Sequence, residues 1–267
     1  MRRVAAALAP TFRYWMQTEV HVYAFSVAAN VLLSFYPFLI VMISVSRLFF
    51  NQQTTVDAIN LALRDYFPDP LRQFLLRNLP QKVSTQVISI VLLLFTANGI
   101  FEPLEVGLNH VWGIRKNRSF FRNQLVSLGL IFACGILALV SLMVTALHHD
   151  SLKAGWLAPL FLKVAAVPIA VLILFLIYRF LPNGKPPRDR VILAAIGVGL
   201  LMEVLKYVCK LLWPWFQKKL EREYNIFQNS VSIVLLGFLA SMLVLAGAEW
   251  AARGHRLDDK RGEHARV

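Results

Sequence analysis

The chain has 267 residues, of which 57% are hydrophobic and only 16% are charged. A soluble domain rarely exceeds about half apolar residues and carries about a quarter charged ones, so this composition excludes an ordinary soluble domain and is typical of a protein with several membrane spans. The net charge of +13 would fit a nucleic-acid partner, but the positions of the charges favour another explanation. Cys134 and Cys209 lie inside apolar runs, so neither a disulfide framework nor a zinc site is expected.

Six apolar segments are each long enough to cross a bilayer, which takes about 20 residues in a helix. Because backbone polar groups in lipid must be satisfied within the segment, all six are predicted to be helices. The sequence therefore predicts an all-α, polytopic membrane protein with six transmembrane helices in a single domain, residues 1–267. The predicted spans are 22–46, 83–101, 123–147, 156–181, 191–213 and 225–248.

The segment between the first two spans, residues 51–82, is amphipathic. Apolar residues recur at helical spacing on both sides of the PDP break at 68–70. Two short helices that lie in the outer membrane interface fit this pattern, and so do two helices that simply cap the bundle.

Basic residues concentrate in alternate loops. If the N-terminus is inside, more than half of the 28 Lys and Arg residues fall at the inner face. The positive-inside rule then predicts cytoplasmic N- and C-termini, with residues 249–267 as a cytoplasmic tail. The basic charge is thus explained by topology and by attraction to anionic lipid head groups, so we expect membrane lipids and not nucleic acid as partners.

Four segments resemble, in order, the YihY/BrkB family of bacterial inner-membrane proteins. They are AANVLLSFYPFLIVMISV in the first span, ANGIFEPLEVGLNHVWGIRKNRSFFRNQLVSL at the junction of the second and third spans, YRFLPNGKPPRDRVILAAIGVGL at the fourth-to-fifth turn, and YNIFQNSVSIVLLGFLASMLVLAGAEW in the last span. The resemblance covers nearly the whole chain and implies a six-helix inner-membrane protein with cytoplasmic termini. For activity it implies less: family members have carried an old ribonuclease label and, more recently, suggestions of lipid or envelope-component transport.

The fifth predicted span carries charges on one helix face. Glu203, Lys206 and Lys210 stand at i, i+3 and i+7, with Tyr207 beside them, and Lys163 in the fourth span lies at a similar depth. A charge at mid-bilayer costs about 3 kcal/mol, so such groups are expected to face an interior or a wet cavity. Two interpretations stay open. One is a cationic pocket for a phosphate or carboxylate head group, and the other is snorkelling lysines plus an ion pair that only serves folding.

The first span contains a polar, kinked element. Asn30 and Ser34 lie one turn apart, and Pro37 follows and frees a backbone carbonyl. These residues are candidates for lining a substrate path, and the alternative is hydrogen bonding between helices.

A third polar set lies at the predicted inner end of the bundle. Its residues are candidates for an inner gate or a proton-coupling site, and the alternative is that its carboxylates form salt bridges with nearby arginines. The set comprises Asn98, Glu102, Glu105, Asn109 and Glu249.

The sequence contains no phosphate-cradling loop, nucleophile elbow or metal-binding pattern. We therefore expect no catalytic residues, no cofactor and no metal, and ribonuclease activity is not expected. The leading hypothesis is an inner-membrane transporter or flippase-like protein for an anionic lipid or a lipid-linked envelope component. The alternatives are an intramembrane enzyme acting on a lipid head group, or a scaffold that binds envelope-biogenesis proteins.

Overall fold

The computed structural model describes residues 2–47, 52–77, 86–115, 118–147 and 158–264, apart from some side chains within these ranges. Every regular element in those ranges is helical, which confirms the all-α class. A single 3-10 turn, Asn225–Phe227, joins the last two helices. The helices are α1 Arg2–Trp15, α2 Thr18–Ser46, α3 Gln52–Tyr66, α4 Asp69–Arg77, α5 Gln86–Trp112, α6 Phe120–Leu147, α7 Ala158–Phe180, α8 Arg188–Tyr224 and α9 Gln228–His264.

Each of the six predicted spans falls on one of the long helices α2 and α5 to α9. Within the described ranges, three helical stretches are long and apolar enough to cross a membrane: Thr18–Ser44, Phe121–Val140 and Arg188–His255. The last of these has 68 residues and holds both α8 and α9, and Val167–Phe180 is a shorter apolar helix. The protein is thus helical with several candidate spans, and the number of crossings stays a prediction.

The last two long helices extend beyond the spans predicted for them. Each has 37 residues, or about 55 Å at 1.5 Å per residue, against a hydrocarbon core of about 30 Å. α8 continues through Pro214 because the following QKKLERE stretch consists of good helix formers, so the loop expected after Trp213 is helical. α9 likewise continues through the described part of the predicted C-terminal tail.

The two short helices α3 and α4 cover one end of the bundle, here called the capped end. Their buried side chains include Ile59, Leu63, Leu71 and Leu75. These pack with apolar residues of α2 and α9 and with Trp213 of α8. Helices therefore form on both sides of the PDP break, as the apolar spacing predicts.

The opposite end, here called the basic end, brings together α1, the end of α5, the start of α6, the turn between α7 and α8, and the end of α9. A large apolar core starts here with Leu108, Tyr178, Val191 and Leu245 and extends along the bundle. Small residues let the helices approach closely: a Cβ added at Gly237 of α9 would lie 3.3 Å from the Cα of Ala28 in α2.

The outer surface of the bundle is apolar. On α6, the exposed residues Phe121, Leu125, Phe132 and Ile136 recur at helical spacing, and Phe121 is 83% exposed. Contiguous apolar surface of this extent is unusual on a soluble monomer, and it suits contact with lipid.

Candidate functional site

The predicted fifth-span cluster contains a close ion pair. The Lys206 Nζ lies 2.9 Å from Oε1 and 2.8 Å from Oε2 of Glu203. The Lys206 side chain is 5% exposed and that of Glu203 is 25% exposed. Lys206 shares the inward face of α8 with Trp213 and Leu220, which follow at intervals of seven residues. The structure thus brings together the two charges that the sequence places deepest.

The other members of this cluster have different surroundings. The Lys210 Nζ donates a hydrogen bond of 2.7 Å to the backbone carbonyl of Arg64, which ties α8 to α3 at the capped end. Tyr207 is 48% exposed, and its ring centroid lies 5.9 Å from the Lys206 Nζ. Lys163 belongs to α7, but its side chain lies outside the described residues.

A cavity of about 70 Å³ lies at the capped end, large enough for water molecules. It is lined by residues of α4, α8 and α9, among them Trp213, Gln217 and Ser232. Glu203, Lys206, Tyr207 and Lys210 do not line it.

The polar element of the first span packs against α5. The Asn30 Nδ2 donates a 2.9 Å hydrogen bond to the Ser26 carbonyl, and a Cβ added at Gly99 of α5 would overlap the Asn30 amide. The Ser34 hydroxyl donates to the Asn30 carbonyl at 2.8 Å, so it bonds back to its own helix. α2 remains one continuous helix through the buried Pro37. Asn30 therefore lies at a close contact between α2 and α5, while Ser34 and Pro37 are buried within the bundle.

Glu249 is held in a hydrogen-bonded triad that joins α1 to α9. Thr11 Oγ1 donates to Glu249 Oε2 at 2.5 Å, and Arg253 Nε donates to Glu249 Oε1 at 3.2 Å. Arg253 Nη2 also donates to Thr11 Oγ1 at 2.9 Å. Glu249 therefore has an arginine partner, which is the salt-bridge alternative named above.

Glu105 and Asn109 form a buried polar pair at the basic end of α5. Asn109 Nδ2 lies 3.5 Å from Glu105 Oε1, and Asn109 Oδ1 accepts a 2.7 Å hydrogen bond from the backbone N–H of Asn183. Glu105 Oε2 is buried, and no hydrogen-bond partner for it occurs among the described residues. Of the other predicted gate residues, Glu102 is exposed and the Asn98 side chain lies outside the description.

Burial raises the pKa of Glu105, which lies beyond the predicted span 83–101. The Arg118 guanidinium and the amides of Asn183, Asn123 and Asn109 oppose that rise without reversing it. A proton is therefore held on this carboxyl more readily than on an ordinary glutamate.

Arg118 lies between α5 and α6 and joins this turn to the turn between α7 and α8. Its guanidinium donates to the carbonyls of Phe180, Leu181 and Pro182 at 3.3, 3.3 and 2.6 Å. Carbonyls at a helix C-terminus have no partner within the helix, so Arg118 caps α7. Arg179 Nη1 donates to the Pro186 carbonyl at 2.6 Å and closes the same turn from the other side.

A cavity of about 600 Å³ opens beside these two turns, here called the basic-end cavity. Among the described residues that line it, none is acidic and four are cationic: Arg118, Arg122, Arg179 and Lys185. Sequence reasoning missed it because these residues were assigned to topology alone. The available signals were the i, i+4 spacing of Arg118 and Arg122 and the two cations that flank a tight Pro- and Gly-containing turn.

Within the described part of the chain, no group of three His, Cys, Asp or Glu side chains could hold a metal ion. Cys134 and Cys209 are both free thiols.

A family model described as Virulence factor BrkB matches residues 11–266, which is nearly the whole chain. No match was found among curated proteins or among solved structures.

Proposed function

Since this chain belongs to the virulence factor BrkB family of membrane proteins, we propose that it is an inner-membrane transporter or flippase-like protein. Its cargo would be an anionic lipid or a lipid-linked envelope component, carried without covalent change. The bundle would cross the membrane six times with both termini in the cytoplasm, as the loop charges predict.

The observation that carries this proposal is the ion pair between the buried Lys206 and the partly buried Glu203. It sits on a helix whose other face exposes apolar side chains such as Leu200, Val204 and Leu211. Replacement of a buried ion pair by apolar residues is often neutral or stabilising, so folding alone gives little reason for this pair. An ionisable pair inside a membrane bundle is better explained by a role in handling a charged cargo.

The pair has the chemistry of an exchangeable site. Glu203 is more exposed than Lys206, so the carboxylate stands towards the accessible side and the ammonium behind it. A phosphate or carboxylate head group would compete with Glu203 for the Lys206 ammonium, and release of the cargo would restore the pair. Lys163, Tyr207 and Lys210 remain candidate contacts for the same cargo.

The test is mass spectrometry of the lipids that copurify with the protein, for the wild type, Lys206→Ala and Glu203→Gln. Anionic lipids should fall about tenfold in Lys206→Ala, since a charged hydrogen-bonding partner is lost. They should rise in Glu203→Gln, because the competing carboxylate is removed and a hydrogen-bond acceptor remains. Lys218→Ala, on the exposed tail of the same helix, is the matched control and should retain the wild-type lipids.

Transport itself is tested in proteoliposomes that contain a fluorescent anionic lipid. Wild-type protein should accelerate its movement between leaflets, and Lys206→Ala should not. Rates equal to those of protein-free vesicles would refute the proposal, and so would unchanged lipid retention in both Lys206→Ala and Glu203→Gln.

A further inference from the structure

Among the described residues that line the basic-end cavity, positive charge predominates. Four of these side chains are cationic and none is a carboxylate. Glu105, in the buried polar pair, attracts one of the four, Arg118. Among the described residues, this single carboxylate offsets only part of the positive charge of the lining.

Two of the cations that line the cavity, Arg118 and Arg122, are close enough to repel each other. Burial lowers the pKa of Arg118, Glu105 opposes this, and the nearby Arg122 guanidinium lowers the pKa further by repulsion. The folded chain thus holds two like charges side by side, and a bound anion would relieve that repulsion.

Two of the guanidinium groups are fixed before any ligand arrives. Arg118 is held by three carbonyls and Arg179 by the Pro186 carbonyl. A guanidinium has five N–H donors. Arg118 uses three of them on these carbonyls and Arg179 uses one, so both keep donors for a phosphate oxygen, and an arginine that is already held pays little ordering entropy when it binds. Basic residues that only set the orientation of the protein in the membrane need not be held in place around a cavity.

The ends of two helices favour an anion at this place. Ser119 lines the cavity and directly precedes Phe120, so the N-terminus of the 28-residue α6 and its positive dipole end adjoin the space. The C-terminus of α7 lies nearby, but Arg118 takes up its terminal carbonyls.

The apolar surface next to the cavity points to the rest of the ligand. Phe180 lines the cavity and is 53% exposed, and α6, which starts at the cavity, carries the exposed apolar residues Phe121 and Leu125 in its first two turns. A phosphate in the cavity and hydrocarbon chains along these apolar residues would satisfy both surfaces at once. The volume of about 600 Å³ is within the usual range for a ligand pocket, about 300–1,000 Å³.

We propose that the basic-end cavity binds the phosphate of an anionic lipid head group, with Arg118, Arg122, Arg179 and Lys185 as its cationic contacts. This site goes beyond the proposed transport function and is separate from the Glu203–Lys206 pair.

The test uses native mass spectrometry of the full-length protein in detergent with added phosphatidylglycerol or phosphatidylcholine. The variant is Arg122→Gln/Lys185→Gln, since both side chains are exposed and neither caps α7. The matched control is Arg115→Gln/Arg188→Gln, which removes two exposed positive charges from the same end but outside the cavity lining. Phosphatidylglycerol adducts should fall about tenfold in the cavity variant and less than about twofold in the control.

Two outcomes would overturn the assignment. An equal loss in both double variants would mean that the lipid responds to the general charge of this face. Binding of inorganic phosphate that depends on Arg122 and Lys185, with unchanged phosphatidylglycerol adducts, would mean that the ligand is a free phosphate and not a lipid. Lys206→Ala should leave these adducts at the wild-type level relative to phosphatidylcholine, so failure here and failure of the transport proposal are distinguishable.

Discussion

Two regions of this bundle contain clustered or buried positive charge, and they differ in how that charge is balanced. On α8 the Lys206 ammonium lies 2.8–2.9 Å from both oxygens of Glu203, so the protein supplies its own counter-ion. In the basic-end cavity, four cations and no carboxylate occur among the described lining residues. The first region pairs each charge with its opposite, and the described lining of the second is positively charged.

The difference lies in how the counter-ions are arranged along the chain. Glu203 and Lys206 are three residues apart on one helix, so the pair forms as soon as α8 forms. The cavity is assembled from α6, α7 and the turn after α7, and Arg118 contacts Pro182 across 64 positions of sequence. Local pairing supplies a counter-ion that a ligand must displace, whereas the cations of the cavity come from separate segments and face a space that a ligand can enter.

The largest expected effect comes from removal of the counter-ion in the neutral region. Glu203→Ala should lower the free energy of unfolding by about 3–5 kcal/mol, because Lys206 stays buried without its carboxylate. Glu203→Leu combined with Lys206→Leu should cost far less, since an apolar pair needs no counter-ion. The measurement is unfolding in detergent by titration with sodium dodecyl sulfate. An equal loss for the single and double variants would show that the two charges are not energetically coupled.

A smaller effect is expected from the polar framework behind the charged cavity. Asn109→Leu removes the acceptor for the Asn183 N–H and the amide beside Glu105. Buried polar groups left unsatisfied cost about 1–3 kcal/mol, and the turn that carries Lys185 should loosen. The same titration measures the loss of stability, and phosphatidylglycerol adducts should fall with it.

The exposed neighbour His110 provides the control for that experiment. His110→Leu removes only a 3.9 Å contact with Glu19, so stability and lipid adducts should stay near the wild-type values. If Asn109→Leu behaves in the same way, the turn does not depend on the buried amide.

The helices of this fold could be predicted from sequence because their signals are local. Hydropathy placed all six long helices, and apolar spacing on both sides of PDP placed α3 and α4. The ends of the last two helices were not predicted from hydropathy. α8 runs to Tyr224 and α9 to His264, because good helix-forming residues continue beyond the apolar segments. The number of helices that cross the membrane depends also on how each helix sits in the lipid bilayer, and apolar length alone does not determine this.

The candidate sites also differ in whether their contacts are local in the sequence. The Glu203–Lys206 pair could be predicted because i, i+3 spacing fixes the geometry within one helix. The Arg64 carbonyl that binds Lys210 and the Thr11 hydroxyl that binds Glu249 could not, since each belongs to another helix. The basic-end cavity was hidden for the same reason, because its arginines approach one another only after α6 and α7 pack.

The smallest expected effect is a dependence of the free energy of unfolding on pH that comes from Glu105, behind the basic-end cavity. Burial raises the pKa of Glu105, so the folded state binds this proton more tightly than the unfolded state does. Stability contributed by the protonated form is therefore lost as pH rises from the ordinary value of 4.5 through the raised pKa. Glu105→Gln should remove this slope, measured by unfolding titrations across that pH range.

The same substitution should strengthen lipid binding at neutral pH. Without the carboxylate behind Arg118, the excess charge of the cavity increases, and phosphatidylglycerol adducts should rise about two- to threefold. Glu102→Gln, one turn earlier on α5 and exposed, is the matched control and should change neither the pH slope nor the adducts. A rise in both variants would assign the effect to net charge at this face, and no rise in either would mean that Glu105 is too far from the bound phosphate to compete with it. The neutral region on α8 should respond to none of these changes, since its counter-ion is its own.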